Sequence, residues 1–351
     1  MPGFLSWIKG FFSTATPPPP ADLPETRLLN PVSDDSVQEL TGEIAELADE
    51  LEEQMFCWLL DSEPDKFMTE PSSTESQVLD ELNNRLQTGN LDELPRKPFS
   101  LPMLMRALSD PKADRQHITE IILGDPALTD QLLQVANSPY FRHGEQSIDS
   151  VDQAVFMLGI DGIRNVVAAA IMRPMMAARN SREALFAQRV WRWGLTCARA
   201  SELIAKSQGA DPGTHFMSGL LPALSYITIY RELHRIGRAR LNTDPNPALI
   251  RQALARHQWS ASQLLANVWH LPPTYHALLL AAERPAPEQA KTPLNDGMVL
   301  GTREVLRHAN QPSLAEEDLP KVVRLEPNQI GAVRASLATM LREGGRSATR
   351  V

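Results

Sequence analysis

The stretch Gly124–Tyr140, GDPALTDQLLQVANSPY, predicts a short amphipathic helix with a defined beginning and end. Asp125 can accept hydrogen bonds from free backbone N–H groups. The proline after it loses nothing, because the first helical N–H has no partner within a helix. Asn137-Ser138-Pro139 ends the helix, because the residue before a proline disfavours helical geometry. The apolar face between these ends consists of Leu128, Leu132, Val135 and Ala136.

A second stretch, Ser150–Gly159, reads SVDQAVFMLG and predicts another helix. Ser150 and Gln153 fit a capping box, and Gly159 suits the left-handed residue that ends many helices. Asp161 can cap the helix that follows. The apolar positions of that helix recur at helical spacing, at Ile163, Val166, Val167, Ala170 and Ile171.

The rest of the chain also follows helical periodicity, so the predicted fold class is all-α. No convincing alternating strand of five or more residues is present, and Val322–Leu325 is the one faint strand candidate. The further predicted helices are Asp34–Leu60, Ser72–Gly89, Glu183–Ser207, Gly219–Arg240, Pro247–His257, Ser260–Trp269, Pro273–Glu283, Asn295–Asn310 and Pro327–Leu341.

From about Leu94 to Pro285 the chain resembles the HDOD family, bacterial signal-transduction domains with an HD-like fold. Gly124–Tyr140 and Ser150–Gly159 carry most of the resemblance. It implies an HD-like multi-helix domain, flanked here by an acidic helical segment and by C-terminal helices. It also implies a regulatory role rather than hydrolysis, since HDOD domains typically lack the full metal-binding set of HD hydrolases.

The family's metal-binding positions can be located by their flanking residues. The sequence WRWG at Trp191–Gly194 resembles the family's Trp-Arg-His-Ser, and Trp193 stands in the histidine position. The sequence GLLPALS at Gly219–Ser225 resembles Gly-Leu-Leu-His-Asp-Ile-Gly, so Pro222 and Ala223 stand in place of His-Asp.

The later positions follow the same pattern of loss. Trp269–Pro272, WHLP, resembles the family's Trp-x-Leu-Pro, and the His-His pair expected after it falls on Ala282 and Glu283. A further histidine falls near Gln258. Trp, Pro and Ala side chains do not bind metal, and a single glutamate binds a hard cation weakly. We therefore expect no metal, no cofactor and no enzymatic activity.

Two polar pairs are the candidate binding residues. Asn137 and Ser138 end a strongly apolar helix, which suits a binding role or a helix cap and turn. Arg164 and Asn165 lie near the start of the helix predicted after Asp161. Free N–H groups there would favour an anion, whereas the alternative is that both side chains are simply exposed to solvent.

Charge is unevenly distributed along the 351-residue chain. Residues 1–94 contain 20 acidic and 4 basic side chains, whereas the remainder contains 23 acidic and 30 basic ones. The overall net charge of -9 argues against a general nucleic-acid binder, which needs a surface that neutralises phosphates. The acidic segment is expected either to dock on the main domain as a helical hairpin or to serve as a separate partner-binding arm.

We predict four parts: an apolar peptide with a polyproline linker at 1–20, an acidic helical segment at 21–90, the HDOD-like domain at 91–290 and a C-terminal helical extension at 291–345. Met1–Phe12 is almost wholly apolar, which fits either a weak membrane contact or packing on the protein itself. No apolar run approaches the ~18 residues of a membrane span and no secretory signal is evident, so the expected compartment is the cytoplasm.

The leading functional hypothesis is a non-catalytic regulatory module of a bacterial signalling pathway. Its expected partners are other signalling proteins, with a nucleotide as a candidate ligand in the old catalytic cleft. One alternative is a divergent metal-dependent HD-type phosphohydrolase. The other is a structural adaptor that works through its acidic N-terminal arm.

Overall fold

The structure is a computed structural model, which describes residues 34–69, 71–98, 101, 104, 115–138, 140–141, 146–242, 244–283 and 292–347. Its contacts divide the chain into two compact units, Met1–Gly42 and Glu43–Val351. Met1–Phe12 and the polyproline linker lie outside the described residues. The described residues form helices and connecting turns without any strand, which confirms the all-α prediction.

The described α-helices are, in chain order, α1 Asp34–Leu60, α2 Ser73–Thr88, α3 Arg115–Leu123, α4 Pro126–Ala136, α5 Val151–Met176, α6 Ser181–Ser207, α7 Pro212–Leu241, α8 Pro247–Val268, α9 Pro273–Glu283, α10 Pro293–His308, α11 Leu319–Val322 and α12 Pro327–Ser347. A 3₁₀ turn, Pro64–Phe67, separates α1 from α2. Within the described ranges, no helix has the length and apolar content needed to cross a bilayer.

Several helix ends follow the predicted capping chemistry. Ser72 and Glu75 form a complete capping box before α2, and Gly89 ends that helix with φ of 69°. The Asp125 carboxylate accepts the Leu128 N–H at 3.1 Å, as predicted for the start of α4. Ser150 accepts the Gln153 N–H at 3.1 Å, but the Gln153 side chain accepts from Asp149 rather than from Ser150. The box at α5 is therefore only half formed.

Two predicted helices have different bounds in the structure. α7 begins at Pro212, seven residues before the predicted start, because Asp211 caps it by accepting the Thr214 N–H at 2.8 Å. α8 is continuous through the predicted break at Ser260. The Ser260 hydroxyl donates to Glu283 instead of capping a helix, so the prediction of two helices there was wrong.

Two local predictions also need correction. The faint strand candidate Val322–Leu325 overlaps the end of the short helix α11, and Asp318 precedes that helix. Gly159 has φ of 67° but ψ of −177°, so it does not have the left-handed helical conformation that was predicted. Gly159 lies at a kink within α5, and this combination of angles is accessible almost only to glycine.

The centre of the fold is α6, which packs at very short range against both α7 and α10. A Cβ added to Gly219 of α7 would lie 2.7 Å from the Ala198 Cα atom. One added to Gly297 or Gly301 of α10 would lie 2.6 Å from a Cα atom of α6. Glycine is required at these crossings because the helix backbones are in direct contact.

The N-terminal helices are part of the same core. From α1, Met55, Phe56 and Leu59 are buried, and α2 contributes Val78 and Leu82. The Phe56 ring stacks on Tyr226 of α7 with centroids 6.0 Å apart. Residues 43–90 are therefore packed on the helices that follow. That residues 91–290 form a domain of their own stays a prediction.

The backbone contact between α6 and α10 predicts a large penalty for Gly301→Ala. The new Cβ would meet the Cys197 backbone, so the free energy of unfolding should fall by about 1–3 kcal/mol, as is usual for an overpacked core. Gly331→Ala is the matched control, because nothing lies within 4 Å of the added Cβ. Helix propensity should make that variant about 0.5–1 kcal/mol more stable. Urea unfolding of both variants measures the difference, and equal effects would contradict the packing described.

Candidate functional site

Trp193, which we predict to stand in place of a metal-binding histidine, is a core residue. Its side chain is 1% exposed, and its Nε1–H donates to the Thr302 hydroxyl of α10 at 2.9 Å. The ring stacks on Tyr226 with centroids 4.8 Å apart, so Trp193, Tyr226 and Phe56 form a continuous stack across three helices. The indole therefore serves core packing at this position.

Pro222 and Ala223, which we predict to replace the His-Asp pair, lie inside α7 and are buried. A Cβ added to Gly194 of α6 would collide with the Ala223 methyl group. α6 thus occupies the space into which a longer side chain at 223 would extend. Pro222 has no N–H to donate along the helix, so α7 tolerates a missing backbone hydrogen bond at the same point.

Gln258 is half-buried in α8, and its carbonyl accepts the Ser262 hydroxyl at 2.7 Å. The residue before it, His257, is 4% exposed, and within the described residues its Nε2 has no hydrogen-bond partner. Burial, with a smaller contribution from Arg256, lowers the pKa of His257 to about 4. Sequence reasoning missed His257, although a histidine beside the expected ligand position was the available signal.

Ala282 and Glu283, which we predict to replace the His-His pair, end α9. Ala282 is buried, and its carbonyl accepts the Asn295 side-chain amide at 3.2 Å. The Glu283 carboxylate is taken up by α8, since it accepts Gln263 Nε2 at 2.7 Å and the Ser260 hydroxyl at 3.4 Å. Across the described ranges, no three His, Cys, Asp or Glu residues come together as a metal-binding group. The residues at these positions do not fit the metal of an HD hydrolase.

Asn137 has a structural role. Its side-chain amide donates to the carbonyls of Leu133 at 2.9 Å and Ile148 at 2.7 Å, and its Oδ1 accepts the Ile148 N–H at 2.8 Å. These bonds tie the end of α4 to the segment that leads into α5. Ser138 donates its backbone N–H to Val135 within the same turn. A binding role for this pair stays a prediction.

Arg164 contacts the beginning of α7, and Asn165 is buried, so neither side chain simply faces open solvent. Arg164 Nη1 lies 3.3 Å from the Asp211 carboxylate, and the Arg164 chain lies against Gly213 so closely that a Cβ there would clash. Asn165 is 4% exposed, and its Oδ1 has no hydrogen-bond partner in the described part of the chain. An acceptor oxygen and a neighbouring carboxylate both disfavour the anion that the sequence suggested.

Tyr275 of α9 completes this cluster. Burial raises its pKa to about 12, against the opposing effects of a hydrogen bond with Thr214 and of the Arg164 charge. The phenol therefore stays protonated at ordinary pH. The cluster joins α5, α7 and α9 through polar contacts that the sequence pattern did not indicate.

Sequence reasoning also missed two charged residues that are adjacent on α7. The Glu232 side chain is 0% exposed and accepts the backbone N–H groups of Asp92 and Glu93, each at 3.1 Å. It also contacts Arg85 of α2 at 3.2 Å and Arg235 at 2.6 Å. Glu232 thereby fastens α2 and the segment after it to α7.

Arg231 makes the corresponding connection on another side of α7. It pairs with Glu183 in the first turn of α6 and donates to the carbonyls of Met175 at 2.9 Å and Ala177 at 2.8 Å. The end of α5 and the start of α6 are thus bound to one guanidinium. Five donors in a planar fork allow an arginine to make several such contacts at once.

The sequence profile of the HDOD domain matches residues 94–285, more than half of the chain. The chain belongs to the HDOD family. A search of curated protein sequences found no significant match. The HDOD match begins directly after Glu93, so α1 and α2 lie before the matched region.

Solved structures share the fold of this HDOD protein. One is a Shewanella amazonensis protein that is assigned by name only to the metal-dependent phosphohydrolases. The alignment covers 78% of this chain and 100% of that protein, with 18% identity and a TM-score of 0.57. A second Shewanella amazonensis protein, assigned by name only to the phosphohydrolases, aligns over 78% of this chain and 98% of its own, with 16% identity and a TM-score of 0.51. These likenesses establish the HD-like fold of the domain.

The buried Glu232 carboxylate predicts that Glu232→Gln loosens α2. The amide carries no charge to pair with Arg85 and Arg235. Both arginines keep Asp92 as a partner, so the expected cost is that of weakened charge-assisted hydrogen bonds, about 1–3 kcal/mol. We expect the free energy of unfolding to fall. We also expect the substitution to speed hydrogen exchange more in α2 than in α6. Glu317→Gln is the control, since Glu317 is exposed. Unchanged exchange in α2 would show that Glu232 does not hold this helix.

The low pKa of His257 predicts a loss of stability in acid. In the unfolded chain the imidazole takes up a proton near its ordinary pKa of 6.5, whereas in the folded protein it does so near 4. Stability therefore falls as pH drops below 6.5, by about 2 kcal/mol at about pH 5. His257→Gln should remove this part of the pH dependence and exposed His117→Gln should not. Urea unfolding across the pH range measures it, and identical curves for both variants would refute it.

Proposed function

We propose that this HDOD protein is a non-catalytic regulatory module of a bacterial cytoplasmic signalling pathway. It acts through contacts with other signalling proteins. The observation that carries the proposal is that residues predicted to replace metal ligands are used for core packing. Trp193 is stacked in the core, and Ala223 lies where α6 and α7 cross.

Hydrolysis by an HD-type enzyme needs a divalent cation that activates water. Holding that cation takes several imidazole and carboxylate ligands arranged around one point. In this chain Glu283 is the one acidic side chain among the substituted positions, and it is engaged by Gln263 and Ser260. His257 adds one imidazole, which is too few for the divergent phosphohydrolase to be preferred.

An exposed apolar surface supports a role in protein contacts. Phe156 is 76% exposed and Met157 is 40% exposed, directly before the kink at Gly159. Large apolar side chains gathered on a surface are typical of interaction sites. Binding of a nucleotide in the cleft that corresponds to the catalytic cleft of HD hydrolases stays a prediction. The buried Trp193 ring does not favour such binding.

The ion pairs of the acidic segment favour a helical hairpin docked on the main domain over a free adaptor arm. Asp61 pairs with Arg189 of α6 at 2.9 Å, Glu93 pairs with Arg179 at 2.5 Å, and Glu81 pairs with Arg240. Such surface pairs are individually weak, but together with the buried Phe56 they support a fixed position for residues 43–93. The basic excess after residue 94 thus has a partner within the chain.

The proposal is tested by metal content and turnover of the full-length protein. After purification in the presence of manganese, iron or zinc, elemental analysis should find no stoichiometric metal. Phosphomonoesters and cyclic dinucleotides should not be hydrolysed above the rate of a buffer blank, because the ligand positions have been lost. A metal-dependent HD hydrolase treated identically is the positive control.

One tightly bound metal ion per chain, with metal-dependent turnover, would refute the proposal. Glu283→Gln then separates the alternatives further. Loss of that metal in the variant would identify Glu283 as a ligand of a divergent phosphohydrolase, whereas metal retained by the variant would show that the metal is held by other residues.

A further inference from the structure

The C-terminal helices line a cavity that is open to solvent and lies outside the residues matched by the HDOD profile. It lies between α10 and α12, has a volume of about 500 Å³, and is lined by charged side chains of both helices and of the segment between them. A volume of this size falls in the range of small-molecule sites, about 300–1,000 Å³. The side chains that determine its charge are Glu304, Arg307, His308, Glu316, Arg334 and Arg342.

The two carboxylates of the cavity are already engaged. Arg334 Nε lies 3.0 Å from Glu304, and Arg334 Nη1 lies 2.5 Å from Glu316. Buried Arg303 also pairs with Glu304. Arg303 and Arg334 therefore neutralise both carboxylates, and these two arginines leave no net positive charge for a ligand.

Two arginines are left over after this pairing. Among the described residues, neither Arg307 nor Arg342 forms an ion pair with a carboxylate, and both are exposed. Arg342 is held in place on α12, since its Nε donates to the Ala338 carbonyl at 3.1 Å. The cavity thus carries excess positive charge in a chain whose net charge is -9.

His308, at the end of α10, adds a titratable donor to the same wall. Burial first, and then the charge of Arg192 on α6, lowers the pKa of its imidazole. The free protein therefore disfavours protonated His308, which would add a third positive charge to those of Arg307 and Arg342. A bound anion would reverse that effect, because a nearby negative charge stabilises the protonated imidazole.

We propose that this cavity binds a small phosphate-bearing molecule through Arg307, Arg342 and His308. Arginine forks match the geometry of phosphate oxygens, and several charge-assisted hydrogen bonds at one concave site give both affinity and orientation. Binding should strengthen as pH falls through the pKa of His308, because the imidazole gains a proton and a charge. The site is independent of the proposed non-catalytic role and lies on different helices.

Binding is tested by calorimetry with pyrophosphate as the probe and the full-length protein at low ionic strength. Arg307→Gln/Arg342→Gln should weaken binding at least about tenfold, which corresponds to about 1.4 kcal/mol. The matched control is Arg173→Gln/Arg256→Gln, which removes two exposed arginines elsewhere and should leave the affinity within about twofold. No binding by the unsubstituted protein, or equal weakening in both double variants, would overturn the proposal.

A second readout follows His308 directly by nuclear magnetic resonance. In sulfate, which stays a dianion over the range measured, the pKa of His308 should be higher than in chloride of equal ionic strength. The shift should disappear in Arg307→Gln/Arg342→Gln, and circular dichroism should show that this variant is folded. Absence of the shift in the unsubstituted protein would overturn the site.

Anionic lipid headgroups offer the same phosphate chemistry from another source. Sedimentation with phosphatidylserine vesicles distinguishes the two. Pyrophosphate binding without vesicle binding supports the proposal. Vesicle binding that needs Arg307 and Arg342, together with no pyrophosphate binding, would replace it with a membrane contact.

Discussion

The contact of α6 with its two neighbours at backbone distance is the constraint on which the structure depends. Gly219 brings α7 onto α6, and Gly297 and Gly301 bring α10 onto it. Helices that approach this closely leave little room for side chains between them. The remaining space is filled by flat rings and small groups, which is why the stack of Trp193 on Tyr226 fits there.

Charged residues then attach the peripheral helices to this centre. Glu232 holds the segment that follows α2, and Arg231 holds the turn between α5 and α6. The two residues are neighbours in the sequence and therefore project from α7 in different directions. A single turn of α7 thus fixes elements that are far apart along the chain, including helices that precede the HDOD match.

Local signals in the sequence were sufficient for much of the fold. Asp125 and Ser72 identified helix starts because capping depends on residues a few positions apart. Ser260 failed as a signal because its hydroxyl found Glu283, a partner more than twenty residues away. Burial of Asn165 and Glu232 was likewise not predictable, since the groups that surround them come from distant segments. The packing around Trp193 and Ala223 was not predictable either, because it depends on residues of other helices.

The crossing at Ala223 also limits which side chains this core can accept. An aspartate at 223 would drive a carboxylate into α6, and a histidine in place of Trp193 would empty part of the stack. Each single substitution would give a destabilised protein, whereas a metal site needs all of its ligands together. Designing such a site into this core would therefore require several simultaneous changes.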